Sequence, residues 1–493
     1  MDQLPFIPAT PFLAILVSLA AVPLIALSDK RPNLREFWTF LAGAIKLSLV
    51  VSMAGWILAG NTHTYEIWPI LPGLSIKLKV DGFGMLFALV ASSLWIVTSI
   101  YSIGYMRGLN EHAQTRYFMC FAVALSATMG VAFAGNLLTL YIFYEILSLS
   151  TYPLVTHHQD KEGRGGGRKY LTYLLSTSIG LALPAMLITY YLTGSLEFSS
   201  LGVFQTTAVS KTMLVVLLLM FLFGFSKAGL MPFHSWLPGA MVAPTPVSAL
   251  LHAVAVVKVG VFSVGRVLTG IFGINLLAAQ NLNTIVCVIA SFTVLVSSLI
   301  ALSQDNLKRR LAFSTVGQLA YIILGIGLAS KLGVEGGMSH IGMHAFGKIT
   351  LFFCAGAIFV ATGKKYISEM VGIGRRMPLT MFFFFIGSLS VIGLPPAGGL
   401  ISKLLMVRGA LQADMLWVLA VYLISSFLNA AYFFPIVYQA FFCREEDALF
   451  EKKFAEAPLF CVLPLAITAT ISVILFFMPG IFTAFAALMV NGL

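Results

Sequence analysis

The chain is predicted to be an all-α integral membrane protein of about fourteen transmembrane helices. Three observations predict it. The 493 residues are 59% hydrophobic and only 10% charged, whereas a soluble domain carries roughly 25% charged residues. Apolar stretches recur from Pro8 to the C-terminus with short polar breaks, each long enough for the roughly 20 residues that one helix needs to cross a bilayer. The Lys and Arg are scattered over the short breaks, so the net charge of +11 reads as loop charge and not as a nucleic-acid surface.

Taken in order, the spans are expected near 8–28, 37–60, 80–105, 116–135, 137–157, 169–194, 212–236, 245–268, 276–303, 310–330, 336–362, 378–400, 401–442 and 456–489, with room for a re-entrant piece in 401–442. The first basic residue is Lys30, beyond the first apolar stretch. That stretch therefore reads as a retained helix and not as a cleaved signal. Loops after odd-numbered spans hold 19 basic residues and loops after even-numbered spans hold six. The positive-inside rule puts the odd loops in the cytoplasm of a cell (inner) membrane and both termini on the outer side.

Five lysines fall inside apolar segments: Lys46, Lys227, Lys258, Lys348 and Lys403. A charge at a helix centre costs roughly 2.5–3.5 kcal/mol on insertion scales, so each needs a reason. Lys46, alone in its span, reads as snorkelling to the interface. Glu145 lies in NLLTLYIFYEILSLSTYPLV, about two turns from the nearest helix end, too deep for a short carboxylate to reach water. Lys227 lies in FLFGFSKAGLMPFHSWLPG, where Gly229, Pro232 and Pro238 break the helix. Broken helices free backbone groups, and transporters place ion sites beside them.

A second break, SVIGLPPAGGLISK, ends on Lys403. Two broken segments about five spans apart, each beside a lysine, are what a duplicated unit leaves, and an odd number of spans per unit inverts the copies. The expected division is 1–110 for spans one to three, 111–272 for a first five-helix repeat (spans four to eight), 273–443 for a second (spans nine to thirteen) and 444–493 for the last span. Between the breaks, HIGMHAFGKITLFF spaces His340, His344 and Lys348 by four. Steps of four rise about 6 Å each and keep to one stripe about 12 Å long. That suits a proton relay better than a metal site, because the third member is a lysine and the helix stripe has no carboxylate. His252 shares a helix with Lys258, on a different face; His234, in the first break, reads equally as a gate or an interfacial residue.

No cofactor and no metal are expected. Cys120, Cys287, Cys354, Cys443 and Cys461 are isolated, without a C-x-x-C pair for zinc or a cluster, and read as buried packing residues. Nucleotide loops and haem motifs are missing too, so a redox enzyme is disfavoured and any electron chemistry belongs to partner chains. The other rivals are a self-sufficient solute carrier and a purely structural subunit. The latter gives the buried charges no role.

The segments VDGFGMLFAL with YSIGYM, NLLTLYIFYEILSLSTYPL, KAGLMPFHSWLPGAMVAPTPVSALLHAVAVVKVG, DNLKRRLAFSTVGQLAYI, HAFGKITLFFCAGAI and GLPPAGGLISK resemble the antiporter-like subunits shared by respiratory complex I, energy-converting membrane-bound hydrogenases and Mrp multisubunit Na+/H+ antiporters. The resemblance implies fourteen helices with two inverted five-helix repeats. It makes Glu145 and Lys227 a coupled pair, Lys258 and Lys348 a central relay and Lys403 the exit-side lysine, with His252, His340 and His344 assisting. It also implies partner membrane subunits and transport of protons, with Na+ the expected exchanged cation. ALLHAVAVVKVG and a lysine at 403 look most like the D-type subunit of Mrp antiporters, and the alternative is a proton-pumping subunit of a redox-driven complex. The sixth span, KYLTYLLSTSIGLALPAML, has no acid, unlike some relatives.

Overall fold

The computed structural model describes residues 7–71, 73–205, 207–443 and 455–491. Among them, eleven helices are long and apolar enough to cross a membrane, from Thr10–Leu27 to Leu459–Phe477. The seventh, eighth and twelfth spans are built from shorter pieces. The seventh is Lys211–Gly224, followed by the turn Ser226–Ala228. The eighth runs through Thr245–Ala249, a π-turn at Leu250–Val254, Val256–Arg266 and a second π-turn at Val267–Phe272. The twelfth is Pro378–Ile392 plus Gly399–Gln412. This gives the expected all-α membrane fold of fourteen spans.

Several boundaries differ from the sequence reading for local reasons. The stretch 401–442 is not one span. Its first part, Gly399–Gln412, completes the twelfth span; a left-handed Asp414 (φ 54°) turns the chain, and Leu416–Phe442 forms the thirteenth. The last span ends at Phe477, and Gly480–Asn491 is a separate short helix after Pro479, which has no N–H to continue a ladder. The sixth span starts early, at Lys161, because the Asp160 carboxylate accepts a hydrogen bond from Gly163 N at 2.6 Å and caps it. The segment before the third span, expected as a loop, is an antiparallel hairpin of β1 (His63–Leu71) and β2 (Leu74–Val80). Arg444, Lys452 and Lys453, part of the loop-charge count, lie outside the described residues.

The duplication has a structural signature. Asn136 caps the fifth span, its Oδ1 accepting from Thr139 N at 2.9 Å, and its backbone bridges to Glu197 just beyond the sixth. Asn306 caps the tenth span, accepting from Arg309 N at 3.1 Å, and bridges to Tyr366 just beyond the eleventh. The same closure thus occurs at the second span of each five-helix unit. One precedes an odd span and the other an even span, so the two lie on opposite faces, as inverted copies require.

Burial separates the centre of the bundle from its lipid-facing rim. The tenth span buries 94% of its apolar stretch inside the protein and the eleventh 78%, against 33% for the second and sixth. The eleventh, Lys331–Thr362, is therefore encased, and its His340, His344 and Lys348 are sequestered from lipid. Of the five cysteines, Cys287, Cys354 and Cys461 are buried, while Cys120 and Cys443 are half-exposed at the bundle surface. Lys46 does not snorkel: it is fully buried, with Nζ 4.5 Å from the Trp95 ring centroid. Arg266, one of the six basic residues assigned to even-numbered loops, is buried in the eighth span and makes a two-pronged ion pair with Asp81 at 2.6 Å per contact.

Candidate functional site

The seventh helix stops at Gly224, and Lys227 follows in a tight turn closed by Gly229 at φ +70°. Lys227 is fully buried. Its Nζ donates to the Tyr144 carbonyl at 2.7 Å and to Ser148 Oγ at 2.6 Å, 3.1 Å from the Tyr144 ring centroid. The backbone freed by the break finds partners within the protein: Trp236 Nε1 donates to the Ser226 carbonyl at 3.0 Å, and Lys227 N to the Tyr144 hydroxyl at 3.2 Å. The eighth span presses its main chain onto this turn at Gly260, where a Cβ would overlap the backbone of Lys227 and Ala228.

Glu145 sits on the fifth span between the two groups that hold Lys227. Both of its carboxylate oxygens are buried and neither has a hydrogen-bond partner. Glu145 and Lys227, the coupled pair that the resemblance implies, make no direct contact; the lysine is held by the neighbouring neutral oxygens. A buried carboxylate one residue from the lysine's acceptor still acts on it through a medium of low dielectric.

Toward the second unit the polar groups connect. Lys258 Nζ is 2.7 Å from His344 Nδ1. The His344 and His340 rings stack at a centroid distance of 5.6 Å and an angle of 25°, the arrangement that i, i+4 spacing on one helix gives. His340 then has both ring nitrogens occupied, Nδ1 by Ser402 Oγ at 2.8 Å and Nε2 by Gln318 Oε1 at 3.0 Å. Ser402 precedes Lys403, whose Nζ donates to the Val391 and Ile392 carbonyls at 2.8 and 3.0 Å, the free carbonyls of the second break. Lys403 Nζ is also 4.5 Å from the Tyr321 ring centroid, and Tyr321 lies 6.1 Å from the His340 ring. Lys348, one turn beyond His344, is fully buried; its Nζ has no hydrogen-bond partner and lies 5.7 Å from the Phe433 ring centroid.

The structure thus joins Lys258, His344, His340 and Lys403 in one run, keeps Lys348 at its edge, and holds Glu145 with Lys227 as a separate group on the other side of the eighth span. The side chain of His252 lies outside the described residues. His234 lines a cavity of about 880 Å³ together with Lys169, Tyr105, Lys308 and Lys365, and its Nδ1 is buried without a partner. Residues of the loops after the third, fifth, ninth and eleventh spans meet around that cavity, so the odd loops share one face. Neutral residues that charge counting could not single out, Tyr144, Ser148, Gln318 and Ser402, supply the hydrogen bonds to Lys227 and to His340. Tyr144, Ser148 and Ser402 had as a signal only their nearness to Glu145 or Lys403, and Gln318, on the tenth span, had none.

Comparison with known proteins places these features in a wider set. The model of the family described as NADH:quinone oxidoreductase/Mrp antiporter, transmembrane region, matches residues 134–429. The N subunit of the NADH-quinone oxidoreductase of Desulforudis audaxviator is 33% identical over 435 residues, covering 86% of this chain and 84% of that protein. The A1 subunit of a Na(+)/H(+) antiporter of Staphylococcus aureus is 30% identical over 461 residues, 86% of this chain, and the A/B subunit of a probable K(+)/H(+) antiporter of Rhizobium meliloti is 31% identical over 396 residues, 79% of this chain. The chain spans only 55% and 38% of the length of those two antiporter proteins. Among solved structures, a chain of the Mrp complex from Dietzia sp. DQ12-45-1b superposes with a TM-score of 0.87 at 20% identity, and a chain of an archaeal membrane-bound sulfane sulfur reductase with 0.87 at 23%. Each pair covers 98% of this chain and 97% of the other.

Proposed function

Because the chain belongs to the NADH:quinone oxidoreductase/Mrp antiporter transmembrane family, we propose that it is the proton-translocating subunit of a multisubunit Mrp-type cation/proton antiporter that exchanges Na+ for H+. The observation that carries this reading is the buried run from Lys258 through His344 and His340 to Ser402 and Lys403. A series of buried titratable groups, joined by the Lys258–His344 and His340–Ser402 hydrogen bonds and by the stacked rings of His344 and His340, can pass a proton by local rearrangement, without cofactor chemistry.

In this reading Glu145 and Lys227 form the switch. When the carboxylate is ionised and close, Lys227 holds its proton; when it moves away or is protonated, burial favours the neutral amine and the proton leaves toward Lys258. The His234 cavity is the path of uptake from the basic face, which the loop-charge bias assigns to the cytoplasm of the cell membrane, with both termini outside. Lys348 stores charge beside the run, and His252 assists from the π-turn of the eighth span. The division at 111–272 and 273–443 assigns one lysine-bearing break to each half.

A redox-driven complex is the second reading, favoured by the relative from the NADH-quinone oxidoreductase, which the chain matches over 84% of its length. One experiment separates the two. Membrane vesicles holding the chain with its partner subunits are energised, and proton movement is followed with a pH-sensitive dye while Na+ or a quinone-linked electron donor is added. Na+-induced proton efflux supports the antiporter, and donor-dependent proton uptake without Na+ response supports the redox complex. Unchanged proton movement in a Lys258→Ala complex would reject the proposed pathway under both readings.

A further inference from the structure

Outside the lysine run, four titratable residues from two loops converge on the cavity face. Glu111 and His112 follow the third span in the sequence N-E-H, and His157 and His158 close the fifth in T-H-H. His157 is fully buried, yet neither of its ring nitrogens has a hydrogen-bond partner. Its Nε2 lies 3.6 Å from Glu111 Oε2, and His158 Nδ1 lies 3.6 Å from that same oxygen. The His112 and His157 rings are 4.8 Å apart between centroids. One donor atom from each of Glu111, His112 and His157 can be chosen so that all lie within 4.8 Å of one another.

These separations are too long for hydrogen bonds and suit another occupant. Ligands at about 2.0–2.1 Å from a tetrahedral Zn2+ stand about 3.4 Å from each other, so the 3.6 Å contacts need almost no adjustment and His112 needs a small rotation at its exposed position. Imidazole nitrogens with one carboxylate select a borderline transition metal over Ca2+ or Mg2+, which take mostly oxygen ligands. Arg116, the nearby cation, donates to the His157 carbonyl at 3.0 Å, and that bond to the main chain fixes the residue's backbone.

We propose that Glu111, His112 and His157, with His158 as a fourth ligand within reach, form a binding site for a divalent transition-metal ion of the Zn2+ class at the rim of the 880 Å³ cavity. The site departs from the sequence expectation of no metal, because its ligands come from two loops 45 residues apart and neither loop carries a recognisable spacing. Glu111 and His158 line the cavity that His234 and Lys169 also line. A bound dication there places positive charge at the mouth of the chamber and withdraws Glu111 from it.

The test is direct binding, which does not depend on the transport assignment. The purified complex is titrated with Co2+, read by its visible d–d absorption, and with Zn2+ in competition with a chromophoric chelator. The expected result is one equivalent bound per chain with the intense bands of a tetrahedral site, and affinity reduced tenfold or more in His157→Asn. The exposed His112→Ala, which removes no buried contact, guards against misfolding and should lose affinity as well. No saturable equivalent in the unaltered complex, or affinity in both variants unchanged from that of the unaltered complex, overturns the site.

Discussion

Lys258 and His344 meet at 2.7 Å across the interface of the eighth and eleventh spans, 86 positions apart in the chain. A lysine ammonium has no acceptor capacity, so His344 Nδ1 accepts when Lys258 is charged and the imidazole proton sits on Nε2. That second nitrogen is buried and has no protein partner, which leaves it free to hand a proton on through water. His344→Leu removes both functions and should lower proton transport by on the order of a hundredfold, the scale of a lost acid–base group. His344→Gln, which restores an acceptor, should recover part of it. Dye-monitored transport by the reconstituted complex measures both, and equal rates for Leu and Gln would show that the contact only packs.

Glu145 invites a different substitution. Its carboxylate oxygens are buried and unbonded, so Glu145→Gln keeps the shape, removes the charge and breaks no hydrogen bond. Folding should be unimpaired or improved, since a lone buried charge is costly, while transport falls at least tenfold. Thermal unfolding and transport assayed on the same preparation separate these effects. A large drop in melting temperature with transport per folded molecule intact would sink the switch role.

Ser148 was invisible to charge counting and is therefore a sharper probe of the same group. It holds Lys227 Nζ at 2.6 Å alongside the Tyr144 carbonyl. A hydrogen bond to a charged group is worth about 1.5–3 kcal/mol, so Ser148→Ala should slow transport roughly tenfold, and Ser148→Thr should largely retain it. Identical rates in Ser148→Ala and the unaltered protein would mean that Lys227 is positioned by the Tyr144 carbonyl alone.

What was legible in the sequence was whatever the bilayer makes expensive. Buried lysines and Gly/Pro breaks stand out against an apolar background, and the structure keeps all five lysines buried or nearly so. Contacts between spans did not show. The spacing of His340 and His344 put them on one stripe of one helix, but Lys258 reaching His344 needed the eighth span laid against the eleventh. That Lys227 is held by the Tyr144 carbonyl and Ser148, beside Glu145 and not on it, did not show either, because charge counting says nothing of the neutral oxygens competing for the ammonium. The hairpin His63–Leu71/Leu74–Val80 was missed because two register shifts and Pro69 interrupt the alternation of its first strand, and Arg266 passed for a loop residue because its partner Asp81 is 185 positions away.

That Asp81–Arg266 pair is structural, and its removal should read out as stability. Both residues are buried, with two contacts of 2.6 Å between them, and Asp81 also caps the third span by accepting from Gly84 N at 2.9 Å. Breaking a buried pair from one side costs about 3–5 kcal/mol. Arg266→Met should therefore lower the melting temperature strongly, while the double variant Asp81→Asn/Arg266→Met, which keeps a cap and leaves no lone charge, should recover much of the loss. A double variant no more stable than the single one would show that packing around Arg266, and not the charge, sustains this end of the bundle.

Lys46 provides the opposite case. It is fully buried in the second span, its Nζ has no hydrogen-bond partner, and its ammonium group faces the Trp95 ring at 4.5 Å. A cation–π contact is worth about 2 kcal/mol when desolvated, on the same order as the roughly 2.5–3.5 kcal/mol insertion cost of the charge itself. Lys46→Met, similar in length and without a charge, should therefore leave stability unchanged within about 1 kcal/mol, and should leave proton transport at the level of the unaltered complex because no titratable group of the Lys258–Lys403 run touches it. Parallel measurement of melting temperature and dye-monitored transport checks both. Transport falling with stability intact would bring Lys46 into the pathway and extend the charged row to the second span.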